Sequence, residues 1–426
     1  MPERFSDRAD LEAHQLTHLR ELVAAVVPSN PFYRNKLASL GGPGTPKTLD
    51  EFRQRFPFTT KTDLVEDHAQ HPPYGSNLTY PVEQYTRCHQ TSGSTGRPIR
   101  WLDTNDSWSW LLENWVEVYR AAQVTPRDRI YFAFSFGPFL GFWTAFESAL
   151  KIGCLCLPGG GLSSAARLHS LIANRATIIC CTPTYALRLA EVAREEEIDL
   201  TRSAVRLIIV AGEPGGSSSG TREAIAHAWN GARVFDHHGM TEVGPVTHEC
   251  FSRPGVLRVI ESSYLAEVID PRTGTPVQHG VEGELVLTTL GRTGSPLIRY
   301  RTGDLVKALP LEQNPDGFVD VCLDGGILGR VDDMITVRGV NVYPSAIDGI
   351  IRECEGIDEY QVCTLANRPL VEIEIRIEAL DPDGTSERLS QLLQNRLSLR
   401  IPVKCVEAGS LPRFEMKARR WIQIHK

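Results

Sequence analysis

From about residue 85 onward one pattern recurs: a short apolar run, a glycine-bearing turn, then a segment with helical spacing. Ile130–Phe134, Thr177–Cys181 and Leu207–Val210 are apolar runs of strand length, while Ala165–Ala173 and Thr221–Trp229 have helical spacing. Runs this short, bounded by turn residues, read as buried strands. Strands that alternate with helices along a chain lie parallel, because each return to the same end of a sheet needs a crossover. The expected fold class is therefore α/β with parallel-rich sheets. Leu265–Asp270 and Gly283–Thr288 alternate apolar and polar residues instead, which predicts antiparallel strands closing the same domain.

The two ends of the chain differ from this pattern. Leu16, Leu19, Leu22, Val23, Val26 and Val27 form an apolar helical stripe, and Pro28 is expected to stop that helix. Pro31, Phe32 and Tyr33 should open a turn-rich entry into the main domain. Glycine-rich Asp324–Gly329 marks a boundary. Beyond it, Ser345–Glu353 and Glu387–Leu397 read as helices, and Glu359–Leu365 and Leu370–Ile377 as strands. A small α+β domain of about a hundred residues fits this set. A chain of 426 residues is too long for one ordinary core. Two domains are expected, 1–329 and 330–426.

Forty-five basic residues face 52 acidic ones, a net charge of −7, which argues against nucleic acid or an anionic membrane as partner. The N-terminus is charged and lacks an export-type apolar core, and no run of about 18 apolar residues is present. Ten cysteines are scattered without disulfide-like spacing, as expected of reduced thiols in a cytoplasmic protein. No internal repeat is found.

The segment Thr91-Ser92-Gly93-Ser94-Thr95-Gly96-Arg97-Pro98 is small, hydroxyl-rich and ends near one cation. Glycines let backbone approach an anion, and hydroxyls and amides donate to phosphate oxygens. The segment is not a Walker A loop. By itself it is equally a Ser/Gly surface loop. Other patterns point away from chemistry. His14 and His18 lack the glutamate of an HExxH pair, and Cys154, Cys156, Cys180 and Cys181 sit in apolar runs as small buried residues. His248 and Cys250 have no second ligand pair close by, so a zinc site there is disfavoured, and Gly159–Gly161 reads as a turn.

Taken with four further motifs, the 91–98 segment resembles the phosphate loop of the adenylate-forming superfamily, which includes acyl-CoA synthetases. Asp236-His237-His238-Gly239-Met240-Thr241-Glu242 resembles its aromatic-Gly-x-Thr-Glu motif, and Tyr300-Arg301-Thr302-Gly303-Asp304 its Tyr-x-Thr-Gly-Asp motif. Gly329-Arg330-Val331-Asp332-Asp333 is similar to the hinge motif, and Leu411–Lys417 to the catalytic-lysine segment. Ala211-Gly212-Glu213-Pro214, Arg338–Pro344, Pro57–Lys61 and Pro31-Phe32-Tyr33 narrow the resemblance to the phenylacetate–CoA ligase branch.

That resemblance implies ATP, Mg²⁺ and coenzyme A as cofactors, and an acyl-adenylate as intermediate. Thr91, Ser92, Gly93, Ser94, Thr95 and Gly96 would hold the β- and γ-phosphates. Arg97 stands where the family usually has lysine, and offers a planar fork in place of a point charge. Glu242 is the expected Mg²⁺ ligand, and Thr241 the α-phosphate contact. Asp304 would accept from both ribose hydroxyls with Arg330 assisting. Glu213, Pro214, Asp236, His237 and His238 would border the nucleotide, with His238 in place of an aromatic tyrosine. Lys417 would bridge the attacking carboxylate and the α-phosphate. Rotation about Asp332 would then bring Arg338, Gly339, Val340 and Asn341 to the coenzyme A channel.

Phe134, Phe136 and Phe139 would line an aromatic acid together with Ala211, Gly212 and Gly239, although plain core packing also explains the three rings. His237 would read a ring substituent. The expected activity is an aryl-carboxylate–CoA ligase of phenylacetate, benzoate or anthranilate type, releasing AMP and pyrophosphate. The alternative is an adenylate-forming enzyme that delivers the acyl group to a carrier protein in trans, an amine or another nucleophile. A non-catalytic relative would not need Lys417. The chain is expected to work as a monomer or homodimer.

Overall fold

The computed structural model describes residues 5–38, 41, 44–91, 98–333, 335–337, 340–365, 372–397, 399–414 and 418–424, with only the backbone described for Thr336, Val340 and Asn341. Two units are present. One comprises 1–130, 135–156 and 237–326, the other 131–134, 157–236 and 327–426.

A five-stranded sheet runs in the order Leu155–Pro158, Arg129–Phe132, Ile178–Cys181, Leu207–Val210, Arg233–Asp236. The last three strands are parallel, with Ile178 opposite Leu207 and Leu207 opposite Arg233. Ile178–Cys181 and Leu207–Val210 are buried along their whole length, which is why they read as unbroken apolar runs. Helices Ser164–Ala173, Pro183–Glu195 and Ser219–Ala228 supply Leu168, Leu171, Leu189 and Ile225 to this core. Each such side chain contributes about 1.5–3 kcal/mol by leaving water. Ser163 and Thr182 cap two of the helices through side-chain oxygens, and Pro183 takes the first helical position where no N–H is missed.

Residues 327–426 in the same unit carry a sheet of their own. Its order is Val403–Cys405, Glu372–Ala379, Ile357–Leu365, Trp421–Ile424. Helices Pro344–Glu353 and Pro382–Leu397 cover it through Ile347, Ile351, Leu389 and Leu393. The α/β class and the separate α+β portion at the C-terminus match the sequence expectation. Helix Pro382–Leu397 begins five residues before Glu387, because Asp381 accepts from the Gly384 N–H at its start.

In the other unit, Tyr264–Ile269, Glu282–Thr289 and Tyr300–Lys307 are antiparallel neighbours, with Tyr264 opposite Thr289 and Glu282 opposite Lys307. Two expectations fail here. Pro28 does not stop the first helix, which runs Arg8–Ser29; burial of Leu19, Leu22, Val23 and Val26 outweighs the last-turn proline. Pro31–Ala38 is a helix, not a turn-rich entry. Asn30 Oδ1 accepts from the Tyr33 N–H at 3.2 Å and Pro31 follows it, so Asn-Pro acts as an N-cap and first helical residue. Ile130–Phe134 is shorter than expected as a strand, ending at Phe132.

Candidate active site

Thr91 follows the strand Tyr85–Gln90 and is buried. Its N–H donates to Ile99 O at 3.0 Å, and its Oγ1 accepts from Ile99 N–H at 3.1 Å. These two bonds join the chain on either side of the hydroxyl-rich loop. Ser92, Gly93, Ser94, Thr95, Gly96 and Arg97 lie outside the described residues.

Arg292 organises the Thr241–Glu242 segment, and sequence reasoning missed it. Its Nη1 donates to the carbonyls of Thr241 at 3.0 Å and Glu242 at 2.8 Å. Nε and Nη2 each donate to an Asp103 carboxylate oxygen at 2.7 Å, and both side chains are fully buried. The fork geometry of arginine suits this double task, since a lysine could not satisfy a bidentate carboxylate and two carbonyls together. Glu242 is only 7% exposed, and no described residue pairs with its carboxylate. A carboxylate this far from solvent is costly unless a cation or donor meets it. Mg²⁺, which takes one or two carboxylates plus phosphate oxygens and water, fits that need.

Thr247 fixes both histidines of the motif. Its carbonyl lies 3.2 Å from His237 Nδ1, and its Oγ1 accepts from the His238 N–H at 3.0 Å. The His237 ring centroid is 4.3 Å from that of Trp115. Burial pushes the His237 imidazole down to about 3, so it stays neutral. Being lowered, it adds stability that is present above the ordinary histidine pKa and is lost as pH falls toward the folded value. Between pH 7 and pH 5 the unfolding free energy of the wild type, from urea titration, should therefore fall further than that of His237→Gln, by up to about 1.4 kcal/mol per pH unit. Equal falls would remove His237 as the titrating group.

His238 Nε2 stands 3.0 Å from Asp304 Oδ2. Asp304 is buried on Tyr300–Lys307, and its N–H donates to Thr302 Oγ1 at 3.0 Å. The imidazole thus contacts the carboxylate expected to hold the ribose. At Gly239 a Cβ would fall 2.7 Å from Gly244 O, so the hairpin of Gly239–Met240 and Gly244–Pro245 requires glycine.

The second unit holds the other expected nucleotide residues. Ala211, Gly212, Glu213 and Pro214 follow the strand Leu207–Val210, and Gly212 has φ +92°. Both Glu213 oxygens accept from backbone: Oε1 from Thr184 N–H at 2.8 Å and Oε2 from Ala418 N–H at 3.1 Å. Asp236 ends its strand, buried, and accepts from Ser217 Oγ at 2.6 Å. Arg330 is half-buried, and Asp332 is exposed in the short helical turn Val331–Asp333. Val340 and Asn341 belong to the strand Val340–Val342, paired with Ile335–Val337. Arg338, Gly339 and Lys417 lie outside the described residues, as does Leu370 of the expected strand.

The three phenylalanines are half-buried. Phe136 packs 4.9 Å from Trp143 and 5.2 Å from Phe146, and Phe139 lies 6.0 Å from Phe142, all in the first unit. Phe134 belongs to the second unit, 5.8 Å from Phe132. Among the described residues no three histidine, cysteine, aspartate or glutamate side chains gather as a metal site. His248 Nδ1 is 3.0 Å from Glu249 O, and Cys250 joins Val256, Leu309 and Cys322 in an apolar cluster.

Residues 89–291 match the model for AMP-binding enzymes, and 339–424 that for the AMP-binding enzyme C-terminal domain. These matches define an adenylate-forming enzyme. The phenylacetate-coenzyme A ligase of Pseudomonas putida is 31% identical, the alignment covering 96% of this chain and 93% of the relative. That of Thermus thermophilus is 30% identical, covering 98% of each. A solved 2-hydroxyisobutyryl-CoA ligase, in the postadenylation state with 2-HIB-AMP, is 29% identical with a TM-score of 0.92, covering 98% of this chain and 90% of its own. The chain belongs to the phenylacetate–coenzyme A ligase family and is an AMP-forming acid–thiol ligase. No helix of the described residues is long and apolar enough to cross a membrane.

Proposed function

We propose that this ligase activates an aromatic carboxylic acid and transfers it to coenzyme A. The Glu242 carboxylate, which has no partner among the described residues and stands beside the Arg292-held Thr241 and Glu242 carbonyls, carries the adenylation half of this proposal. The phenylacetate-coenzyme A ligases among its relatives support the aromatic acid and the thiol acceptor.

In the first half-reaction a substrate carboxylate oxygen forms a bond to the α-phosphorus of ATP and pyrophosphate leaves. Anion meets anion, so positive charge and aligned donors must be in place beforehand. Bound Mg²⁺ would neutralise phosphate charge, held by Glu242. Thr241 orients the α-phosphate, with its backbone fixed by Arg292. Asp304, steadied by His238, accepts from the ribose, assisted by Arg330. Lys417 bridges carboxylate and phosphate. In the second half-reaction the C-terminal domain, 330–426, turns about Asp332 and the 338–341 loop faces the coenzyme. The thiol, losing its proton, attacks the acyl carbonyl and AMP leaves. Sharing of these residues around one nucleotide can supply about 7–11 kcal/mol through positioning.

A second acid class has its own support. The 2-hydroxyisobutyryl-CoA ligase aligns over nearly the whole chain, and its acid is small, branched and hydroxylated. Mass spectrometry of products from enzyme, ATP, Mg²⁺, coenzyme A and a panel of both acid types decides between them. An aryl-CoA with AMP is the expected product. A 2-hydroxyacyl-CoA alone would replace the aromatic acid, and acyl-AMP without thioester would move the search to another acceptor.

Two substitutions test individual residues. Glu242→Ala should remove Mg²⁺-dependent turnover, measured as pyrophosphate release across a Mg²⁺ titration; unchanged dependence would assign the metal elsewhere. Phe136→Ala should shift kcat/KM toward bulkier rings by about 10–200-fold, the range open to a hydrophobic pocket. An unaltered profile would return Phe136 to its packing role against Trp143.

A further inference from the structure

Glu213 does more than border a nucleotide. A carboxylate is the one side-chain group that accepts at both oxygens, and Glu213 spends both on backbone N–H groups. One belongs to Thr184, in the first turn of the helix Pro183–Glu195, and the other to Ala418, the residue after Lys417. On the other flank of residues 415–417, Arg413 bridges two carboxylates. Its Nε donates to Glu191 of the same helix at 3.0 Å, and its Nη1 and Nη2 donate to Glu378 at 3.2 and 2.8 Å. Arg420 repeats the arrangement: Nη1 donates to Thr184 Oγ1 at 3.2 Å, while Nε and Nη2 hold Glu359 at 2.6 and 3.0 Å.

We propose that Glu213 and Arg413 are positioning residues that dock both flanks of the lysine segment onto the helix Pro183–Glu195 for the adenylation half-reaction. This rests on the assignment of Lys417 to that half-reaction. Three features favour a releasable dock over a permanent joint. Glu378 shapes the segment from within the C-terminal portion, accepting from the N–H groups of Gly409 at 2.9 Å and Leu411 at 2.6 Å as well as from Arg413. Burial would raise the Glu378 carboxyl, but Arg413 and the two N–H donors outweigh it and hold it below the ordinary value. Each arginine also keeps a carboxylate of its own portion, Glu378 or Glu359, when its bond to the helix breaks. Release therefore strands no guanidinium without a counter-ion, which is the costly outcome for a charge in the interior. Among the described residues, undocking the segment opens the hydrogen bonds from Ala418 to Glu213, from Arg413 to Glu191 and from Arg420 to Thr184, and a wider release would also part Arg194 from Asp358.

Glu213→Gln is the sharpest test, since an amide presents a donor to one of the two N–H groups. Hydrogen–deuterium exchange over residues 408–424 of the full chain should show faster exchange at the Ala418 amide. ATP–pyrophosphate exchange with phenylacetate should fall about a hundredfold, chiefly in kcat, as a misplaced reacting group does. Glu191→Ala should lower the same exchange reaction less. It should leave single-turnover thioester formation from synthetic phenylacetyl-adenylate and coenzyme A at the wild-type rate. Unchanged Ala418 protection in Glu213→Gln overturns the dock. Faster amide exchange with full adenylation activity overturns the positioning role. Equal losses in both half-reactions for Glu191→Ala would make the contact merely structural. Should the wild type make no adenylate from any acid, the ligase assignment falls, and the Ala418 amide still decides the dock.

Discussion

Lys417→Ala is expected to stop adenylate formation while thioester formation from supplied acyl-adenylate continues. The reason is electrostatic. A substrate carboxylate must approach the α-phosphate, and a cation placed between them stabilises charge that is close together only on the way to the transition state. Loss of one such preorganised group costs about 2.7–4 kcal/mol, or 10²–10³ in rate. The thiol attack that follows has a neutral carbonyl as its target and gains nothing from that cation. Pyrophosphate release measures the first step, and rapid-quench thioester formation from synthetic acyl-adenylate the second. Parallel losses would show that Lys417 serves both steps or the fold, and full pyrophosphate release would assign the charge to another residue.

Arg292→Met should be the most destabilising single change near the site. It leaves Asp103 charged, fully buried and without its partner, a situation that costs about 3–5 kcal/mol. It also frees the Thr241 and Glu242 carbonyls. Urea unfolding should show the loss of stability, and pyrophosphate exchange the loss of activity. The two effects separate in Arg292→Met with Asp103→Leu. Replacing a whole buried pair by apolar residues is often neutral for stability, so the midpoint should recover. Activity should not, because the two carbonyls still lack their donor. Recovery of both would make Arg292 a core residue alone.

Much of the fold is legible along the chain, as are the motifs of the candidate site, and the remainder follows a physical pattern. Leu207–Val210 reads correctly because both faces of a central parallel strand are buried, which removes any alternation. Thr241, Glu242 and Asp304 can be picked out along the chain because each lies in a short contiguous motif, and their roles rest on the proposed function. Arg292 cannot be, since its partner Asp103 lies 189 positions away and neither belongs to a short motif. Trp115 against His237 is hidden for the same reason. Asn30-Pro31 is visible in the sequence but reads as a turn, although the same pair caps a helix when a buried stripe follows. Glu213 is found as part of a motif, whereas its tie to Ala418 spans 205 positions and depends on the fold.

The close approach at Gly216 sets a limit on varying the segment that follows the strand Leu207–Val210. A Cβ there would fall 2.3 Å from Asp236 Oδ1 and 2.8 Å from Val210 Cγ2, inside any tolerated contact. Every side chain at 216 must push Asp236 off Ser217, and Asp236 is the residue before His237. A library that randomises 211–217 will thus collapse onto glycine at one position. Phe136, Phe139 and Trp143 carry no such backbone constraint, and their side chains, packed ring against ring, can be exchanged for others of matched volume.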